Sequence, residues 1–171
     1  MSAAVATTAN AWQILAGVAD PEIPVVSVVD LGIVRAVKVS DDQRRVVVTL
    51  TPTYSGCPAT EVIAHDVREA LTTAYDEVVI DVQLSPAWTT EWLSAGGREK
   101  LRGFGIAPPN GRGVTADGRK SLPILEIGRP ERCPSCGSTQ LDELSRFGST
   151  PCKSLWRCED CREPFDYFKV H

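Results

Sequence analysis

Four cysteines near the C-terminal end have the residue type and the spacing of a metal site. They form two CxxC pairs, Cys133 with Cys136 and Cys158 with Cys161. Each CxxC turn places two thiolates on one side of a tight knuckle, and two facing knuckles complete the tetrahedral sulfur shell that zinc prefers. Because all four ligands are cysteines, we expect a closed, structural zinc site. Iron bound as in rubredoxin is the main alternative, since four sulfur ligands do not exclude it.

Two disulfide bonds would also account for the four cysteines, but they require an oxidising compartment. Residues 1–10 contain no basic region and no long apolar region, so they do not have the pattern of a secretory signal. The most apolar window, residues 25–39, is interrupted by Asp30, Arg35 and Lys38, which argues against a membrane span. We therefore expect a cytoplasmic protein without a membrane partner, beginning with a disordered tail over residues 1–10.

The charge balance argues against nucleic acid as a partner. The chain has 18 basic and 22 acidic residues, a net charge of −4. Residues 133–171 alone contain five Lys or Arg against six Asp or Glu, whereas binding to a phosphate backbone requires a basic face. The aromatic residues Phe165, Tyr167 and Phe168 are therefore interpreted as the small core of the metal-binding segment or as a protein-binding surface.

Two further cysteines lie outside the CxxC pairs. Pro58 suits the first helical position, which would make Cys57 the N-cap residue. A thiol there faces unpaired backbone N–H groups and the positive end of the helix dipole, which favours the thiolate. Cys57 is thus predicted to be a soft-metal ligand or a reactive thiol, with simple packing as the alternative. Cys152, close to Cys158, is an uncertain thiol: incidental, an alternative ligand or a partner in transfer.

Other residues that could carry out catalysis lack the expected setting. Asp20 and Glu22 flank Pro21, and an Asp before Pro commonly begins a turn, so a positional role is favoured over acid–base catalysis. The two histidines, His65 and His171, do not form the Glu-x-x-His pairs of a helical di-iron site. No glycine-rich phosphate loop follows a predicted strand. The residues therefore favour a non-enzymatic role.

The apolar periodicity predicts the order α-β-β-α-β-α in the first part of the chain. The predicted helices span 10–18, 59–74 and 89–104, and the predicted strands span 31–39, 44–50 and 78–84. Residues 11–106 are expected to form a small α+β sandwich domain. Residues 107–130, rich in Pro and Gly, are expected to be a linker with a candidate strand at 122–127. Residues 131–171 complete the chain as a β-rich zinc ribbon.

Several motifs resemble known proteins. The first part of the chain resembles the SufT-like iron-sulfur assembly factors in three stretches: Asp20-Pro21-Glu22-Ile23-Pro24, Val28 to Val34, and Tyr54-Ser55-Gly56-Cys57-Pro58. The ribbon adds Arg146 to Lys153 and Pro164 to Lys169. Together, over residues 12–169, the chain resembles the PaaD family of the phenylacetyl-CoA ring-epoxidase system.

The resemblance implies an accessory role in aerobic phenylacetate degradation. It implies a maturation factor that assists assembly of iron-sulfur or iron centres through Cys57, with Asp20 and Glu22 near it and the zinc ribbon docking the client. The implied partners are the oxygenase and iron-sulfur reductase subunits of the epoxidase, and the implied cargo is transient iron or an iron-sulfur cluster. A structural adaptor, or a redox enzyme acting through Cys57 and Cys152, is the alternative. Formation of a homodimer through an exposed sheet edge is left open.

Overall fold

The computed structural model describes residues 7–110 and 128–170, which belong to two compact units that meet in sequence between Trp88 and Thr89. Both units combine helices with a sheet, which confirms the predicted α+β class. Among the described residues, no helix has the length and apolar character needed to cross a membrane.

The first unit has a three-stranded sheet with two helices. Its elements are α1 (Thr8–Ala16), β1 (Val34–Val39), β2 (Arg45–Leu50), α2 (Ala59–Thr72) and β3 (Glu77–Val82). Strands β1 and β2 are antiparallel, whereas β2 and β3 are parallel, in the order β1-β2-β3. A parallel neighbour requires a long crossover connection, which α2 provides.

The core of the first unit follows the predicted periodicities. The alternate residues Val46, Val48 and Leu50 of β2 are buried, as expected for a central strand with one strongly covered face. The buried residues of α2 include Ile63 and Val67, four positions apart on one helix face. Burial of each such side chain contributes about 1.5–3 kcal/mol to the free energy of unfolding.

The helix α1 corrects the predicted N-terminal tail. The hydroxyl of Thr7 accepts a hydrogen bond from the backbone N–H of Asn10 at 3.2 Å and caps the helix at its N-terminus. The helix therefore begins at Thr8, inside the segment 1–10 that was predicted to be disordered. The threonine cap, a sequence signal for a helix start, accounts for the difference.

A long turn between α1 and β1 replaces the beginning of the strand predicted over 31–39. The backbone N–H of Val28 donates to the carbonyl of Val18 at 3.0 Å, and Ala19 and Ser27 form an isolated bridge. Gly32 then has a φ of 69°, which ends the turn and delays β1 until Val34.

Trp88 fixes this turn. Its indole N–H donates to the backbone carbonyl of Leu31 at 2.9 Å, and its side chain is buried. Trp88 is therefore a core residue of the first unit.

The second unit contains a four-stranded sheet in the order β4-β7-β6-β5. Its elements are a short 3-10 turn (Thr90–Trp92), α3 (Ala95–Gly103), β4 (Ile106–Ala107), β5 (Leu141–Ser145), β6 (Lys153–Cys158) and β7 (Pro164–Phe168). Strand β4 is parallel to β7, and the other neighbours are antiparallel.

Two predictions fail at the start of this unit. The single helix predicted over 89–104 is interrupted because Leu93 is extended and Ser94 caps α3, accepting from Gly97 N–H at 2.8 Å. In addition, α3 and β4 belong with the ribbon sheet and not with the domain predicted over 11–106, because β4 pairs with β7. Most of the predicted linker, including the candidate strand at 122–127, lies outside the described residues.

We predict that Trp88→Phe lowers the free energy of unfolding of the first unit by about 1–3 kcal/mol, because the buried Leu31 carbonyl loses its indole donor. Urea denaturation would measure the change. Trp12→Phe, at a half-buried tryptophan of α1, is the control for the loss of ring volume. Equal losses in the two variants would contradict the importance of the Trp88 hydrogen bond.

Candidate functional site

The structure brings the four CxxC cysteines together. The sulfur atoms of Cys133 and Cys161 are 3.7 Å apart, those of Cys136 and Cys158 are 3.6 Å apart, and all four lie within 4.8 Å of one another. A tetrahedron with zinc–sulfur bonds of about 2.3 Å separates its sulfur atoms by about 3.8 Å. A disulfide requires about 2.05 Å. The geometry therefore fits a metal ion and excludes the disulfide alternative in this structure.

Both knuckles use the same backbone arrangement. In the first, Gly137 N–H donates to the Cys133 carbonyl at 2.9 Å; in the second, Arg162 N–H donates to the Cys158 carbonyl at 3.0 Å. The residue after the second cysteine has a left-handed backbone in each case, with a φ of 78° at Gly137 and 65° at Arg162. The positive φ at the glycine is consistent with its position in the sequence motif. The same conformation at an arginine costs energy, which a bound metal would help to offset.

The surroundings of the sulfur atoms favour thiolates only in part. The backbone N–H of Cys161, followed by that of Asp160, lowers the pKa of Cys158 to about 7 despite its burial. For Cys161, the backbone N–H of Glu163 acts in the same direction, but desolvation and the neighbouring thiols outweigh it and raise the pKa to about 12. Four thiolates in contact therefore repel one another unless a cation compensates their charge.

The aromatic residues of the ribbon form its core. Phe165, Tyr167 and Phe168 are all buried, and Tyr167 packs edge-on against Trp156 with ring centroids 6.5 Å apart. This burial supports the interpretation of these aromatic residues as the small core of the metal-binding segment, and not as a protein-binding surface. The core cluster that contains Trp156, Phe165 and Tyr167 also includes Cys133 and Cys158. Core packing therefore fixes two of the four sulfur atoms.

Cys57 lies in the loop before α2, in the other unit. The loop residues Ser55 and Gly56 are exposed, and Cys57 itself is half-buried. Helix α2 begins at Ala59, as the predicted range 59–74 has it. Its N-cap residue is Pro58, one position after the predicted cap at Cys57. The N–H of Thr60 nevertheless donates to the Cys57 carbonyl at 3.2 Å. The predicted N-cap position of Cys57 is therefore wrong by one residue, because Cys57 directly precedes the N-cap residue Pro58.

The carboxylate of Asp20 organises its own turn. It accepts hydrogen bonds from the backbone N–H groups of Glu22 at 2.9 Å and Ile23 at 2.8 Å, and Asp20 is only 6% exposed. This turn belongs to the long connection that ends beside β2, where Thr51 N–H donates to the Ile33 carbonyl at 2.8 Å. The loop that leads to Cys57 also starts at Thr51. The connection that contains Asp20 thus ends at Ile33, directly opposite Thr51, where the Cys57 loop begins.

Cys152 is separate from the ribbon thiols. It is buried, and its sulfur lies 3.0 Å from the hydroxyl of Thr150. In the part of the chain that the structure describes, metal-type ligand atoms gather in two groups of three or more. These groups are the four CxxC cysteines and the set of His65, Asp66 and Glu69. Cys152, Cys57, Asp20 and Glu22 belong to neither group.

The group of His65, Asp66 and Glu69 on α2 was not identified from the sequence. The separation of four positions between His65 and Glu69 places their side chains on one face of a helix and could have indicated it. His65 and Glu69 are largely exposed, with 3.8 Å between Nε2 and the carboxylate oxygen.

Comparison with known proteins accounts for the combination of the two units. Residues 8–84 match the family described as iron-sulfur cluster assembly protein, and residues 127–169 match the PaaD zinc beta ribbon domain. The putative D subunit of the 1,2-phenylacetyl-CoA epoxidase of Escherichia coli (strain K12) is 49% identical to this chain, covering 92% of this chain and 90% of that protein. The chain belongs to the PaaD family of phenylacetyl-CoA epoxidase subunits. Its resemblance to this family, inferred from the sequence motifs, is confirmed.

Relatives of the first unit alone extend this result beyond the PaaD family. An Fe-S protein maturation auxiliary factor of Porphyromonas gingivalis is 39% identical over 48% of this chain and 78% of that protein. The crystal structure of a domain of unknown function, DUF59, from Bacillus anthracis has a TM-score of 0.51 at 31% identity and covers 54% of this chain and 89% of that chain. The PaaD family thus joins an iron-sulfur assembly domain to a zinc ribbon.

We predict that Cys133→Ala reduces the bound metal from about one ion per chain to a small fraction of that, because three sulfur ligands no longer close the tetrahedral shell. Elemental analysis of the purified full-length protein would measure the change. Cys152→Ala, which removes a buried thiol outside the group, is the matched control. Equal metal contents in the two variants would contradict the assignment of the ligands.

We predict that Asp20→Ala lowers the free energy of unfolding by about 1–3 kcal/mol, whereas Asp20→Asn costs less, because asparagine keeps an oxygen acceptor for the two N–H groups. Urea denaturation of both variants tests this order. A functional assay of Asp20→Asn then tests the charge separately from the turn. Loss of function in this stably folded variant would show that Asp20 does more than hold the turn.

Proposed function

We propose that this chain is a non-catalytic maturation subunit of the phenylacetyl-CoA ring-epoxidase system in aerobic phenylacetate degradation. Cys57 transiently ligates iron or an iron-sulfur cluster as cargo, and the zinc ribbon docks the client subunit. The observation that carries the proposal is the placement of Cys57, a partly exposed thiol at the start of a helix, within the segment that matches the iron-sulfur assembly family. The name of the epoxidase relative supports the choice of system.

The surroundings of Cys57 suit temporary binding. Iron-sulfur clusters are usually held by four cysteine thiolates, and in the described part of the chain Cys57 is not grouped with other metal-type ligands. A single thiolate leaves the other coordination positions of the cargo to a second chain or to the client. Ligand exchange can then move the cargo onto the client without first dismantling a complete protein shell.

The ribbon site has the opposite character. Its four sulfur atoms have tetrahedral spacing, and two of the cysteines are buried in the aromatic core. We propose that Cys133, Cys136, Cys158 and Cys161 hold one zinc ion permanently. Zinc bound there supplies charge compensation and crosslinks the two knuckles, and it takes no part in the transfer.

The partners proposed for this role are the oxygenase and iron-sulfur reductase subunits, whose metal centres require assembly. A cytoplasmic location accords with six free cysteines. Formation of a homodimer through the edge of β1 or β3, the two outer strands of the sheet, belongs to the same proposal.

A structural adaptor is the second candidate, and the relative's name as a subunit favours it. An adaptor needs no metal ligand in its first unit. It would form a stable stoichiometric complex with the oxygenase, and Cys57→Ala would leave this complex and the activity of the epoxidase unchanged.

We predict that Cys57→Ala abolishes client maturation while the zinc content stays near one ion per chain, because the substituted thiol lies outside the zinc site. Zinc, iron and acid-labile sulfide would be measured per chain after strictly anaerobic purification. Iron and sulfide are expected in the wild type and absent in the variant. Cys152→Ala controls for the loss of a thiol.

Zinc alone in both proteins, with full epoxidase activity from cells that carry Cys57→Ala, would contradict the transfer role and favour the adaptor. Loss of function in both Cys57→Ala and Cys152→Ala, with a trapped mixed disulfide, would favour the redox alternative instead.

A further inference from the structure

The loop between β5 and β6 exposes a large aromatic side chain. Phe147, in the segment Arg146 to Cys152, is 67% exposed. Leu144, three residues earlier, is 45% exposed at an irregularity where the β5–β6 register shifts. Single exposed apolar residues are common on protein surfaces, so exposure by itself carries no functional conclusion. The contacts that hold this loop give the additional argument.

Polar contacts that include the buried Lys153 hold the loop in one shape. Lys153 is almost fully buried and pairs with Asp166 of β7 at 3.4 Å, while Ser149 donates its hydroxyl proton to the same carboxylate at 3.0 Å. The backbone N–H of Gly148 also donates to the Lys153 carbonyl at 2.8 Å. A buried ion pair is expensive to desolvate and is weak evidence for stability. Here its effect is to fix the backbone next to Phe147.

Gly148, the residue after Phe147, lies very close to Asp166. A Cβ atom placed on Gly148 would lie 2.5 Å from the carboxylate oxygen Oδ1 of Asp166, so any larger residue would have to displace that carboxylate from its partners Lys153 and Ser149. The loop is therefore drawn tightly against β7, and Phe147 projects from this close approach.

Two cationic residues accompany the exposed ring. The ammonium group of Lys169 lies 4.6 Å from the centroid of the Phe147 ring, a cation–π distance. The same group donates to the backbone carbonyl of Arg146 at 3.2 Å, and Arg146 is itself exposed. The result is an apolar projection with positive charge at its base, on a chain whose net charge is −4.

We propose that Phe147, with Arg146 and Lys169, is the point at which the ribbon docks its client. The matching surface is an apolar pocket bordered by carboxylates on that client protein. This inference rests on the proposed function, which gives the ribbon its docking role, and adds the residues and the chemistry of the contact. An aromatic side chain carried by a backbone that is fixed before binding loses less conformational freedom in the complex, and aromatic residues often dominate binding energies.

The observations favour a protein over a nucleic acid or a membrane. A phosphate backbone or an anionic bilayer attracts a broad basic surface, whereas this site combines one ring with two local cations on an acidic chain. Positive charge at the rim of an apolar contact is typical of protein interfaces, where it mainly increases the rate of association.

We predict that Phe147→Ala weakens binding to the client by at least about tenfold, because the central apolar contact is lost. Purified oxygenase and reductase components of the epoxidase, each immobilised separately, would be titrated with the full-length protein by biolayer interferometry. Phe104→Ala is the matched control, because Phe104 is 54% exposed in the same unit. Lys169→Gln is expected to weaken binding less, by about threefold, with an effect that disappears at high salt.

The outcomes separate the inference from the function on which it rests. If the wild type binds a component and Phe147→Ala binds equally well, the docking site is wrong and the maturation role stands. If the wild type binds neither component, the docking site and the proposed maturation role are both wrong. Phe147-dependent binding to vesicles of anionic phospholipid, in place of the protein components, would also overturn the inference. Retained iron and sulfide in Phe147→Ala, together with lost maturation, would support it and distinguish this variant from Cys57→Ala.

Discussion

Four sulfur atoms in mutual contact set the main physical constraint on the second unit. The ribbon has a small core, and its two knuckles are held by backbone hydrogen bonds around cysteines that repel one another when ionised. A divalent cation bound by the four sulfur atoms would remove the repulsion and would crosslink residues 133–136 to residues 158–161. Such a crosslink would stabilise the aromatic core, the sheet and the loop before β6, because a small unit gains less from apolar burial alone.

The first unit is organised by different means and contains a thiol with a different environment. Its sheet, its two helices and the Trp88 hydrogen bond form an apolar core to which the four CxxC cysteines contribute nothing. Cys57 lies at the edge of this scaffold, half-buried at the start of α2. One chain thus combines a closed set of sulfur ligands with a single thiol on a rigid support. Under the proposed function this separation is physically sensible, because a site that releases a cargo needs a more open set of ligands than a site that retains its ion.

The sequence predicted the features that depend on local spacing. The CxxC pairs predicted the sulfur group, and the periodicity of residues 59–74 predicted most of α2. Each of these patterns is formed by residues only a few positions apart in the sequence. The break at Leu93 and the pairing of β4 with β7 were missed, and that pairing depends on contacts between residues more than fifty positions apart. The turn of Asp20 was predicted as a turn, but its burial depends on the tertiary fold.

The pairing of β4 with β7 also determines where the ribbon can be separated from the rest of the chain. Ile106 and Ala107 cover one side of β7, next to the buried Tyr167. A ribbon cut at residue 131, where the sequence motif suggests a boundary, would lose this neighbour and expose unpaired N–H and C=O groups along an apolar strand. Such an edge recruits strands from other molecules. Self-association of an isolated ribbon would therefore reflect the missing β4, and would carry no information about the oligomeric state of the intact protein.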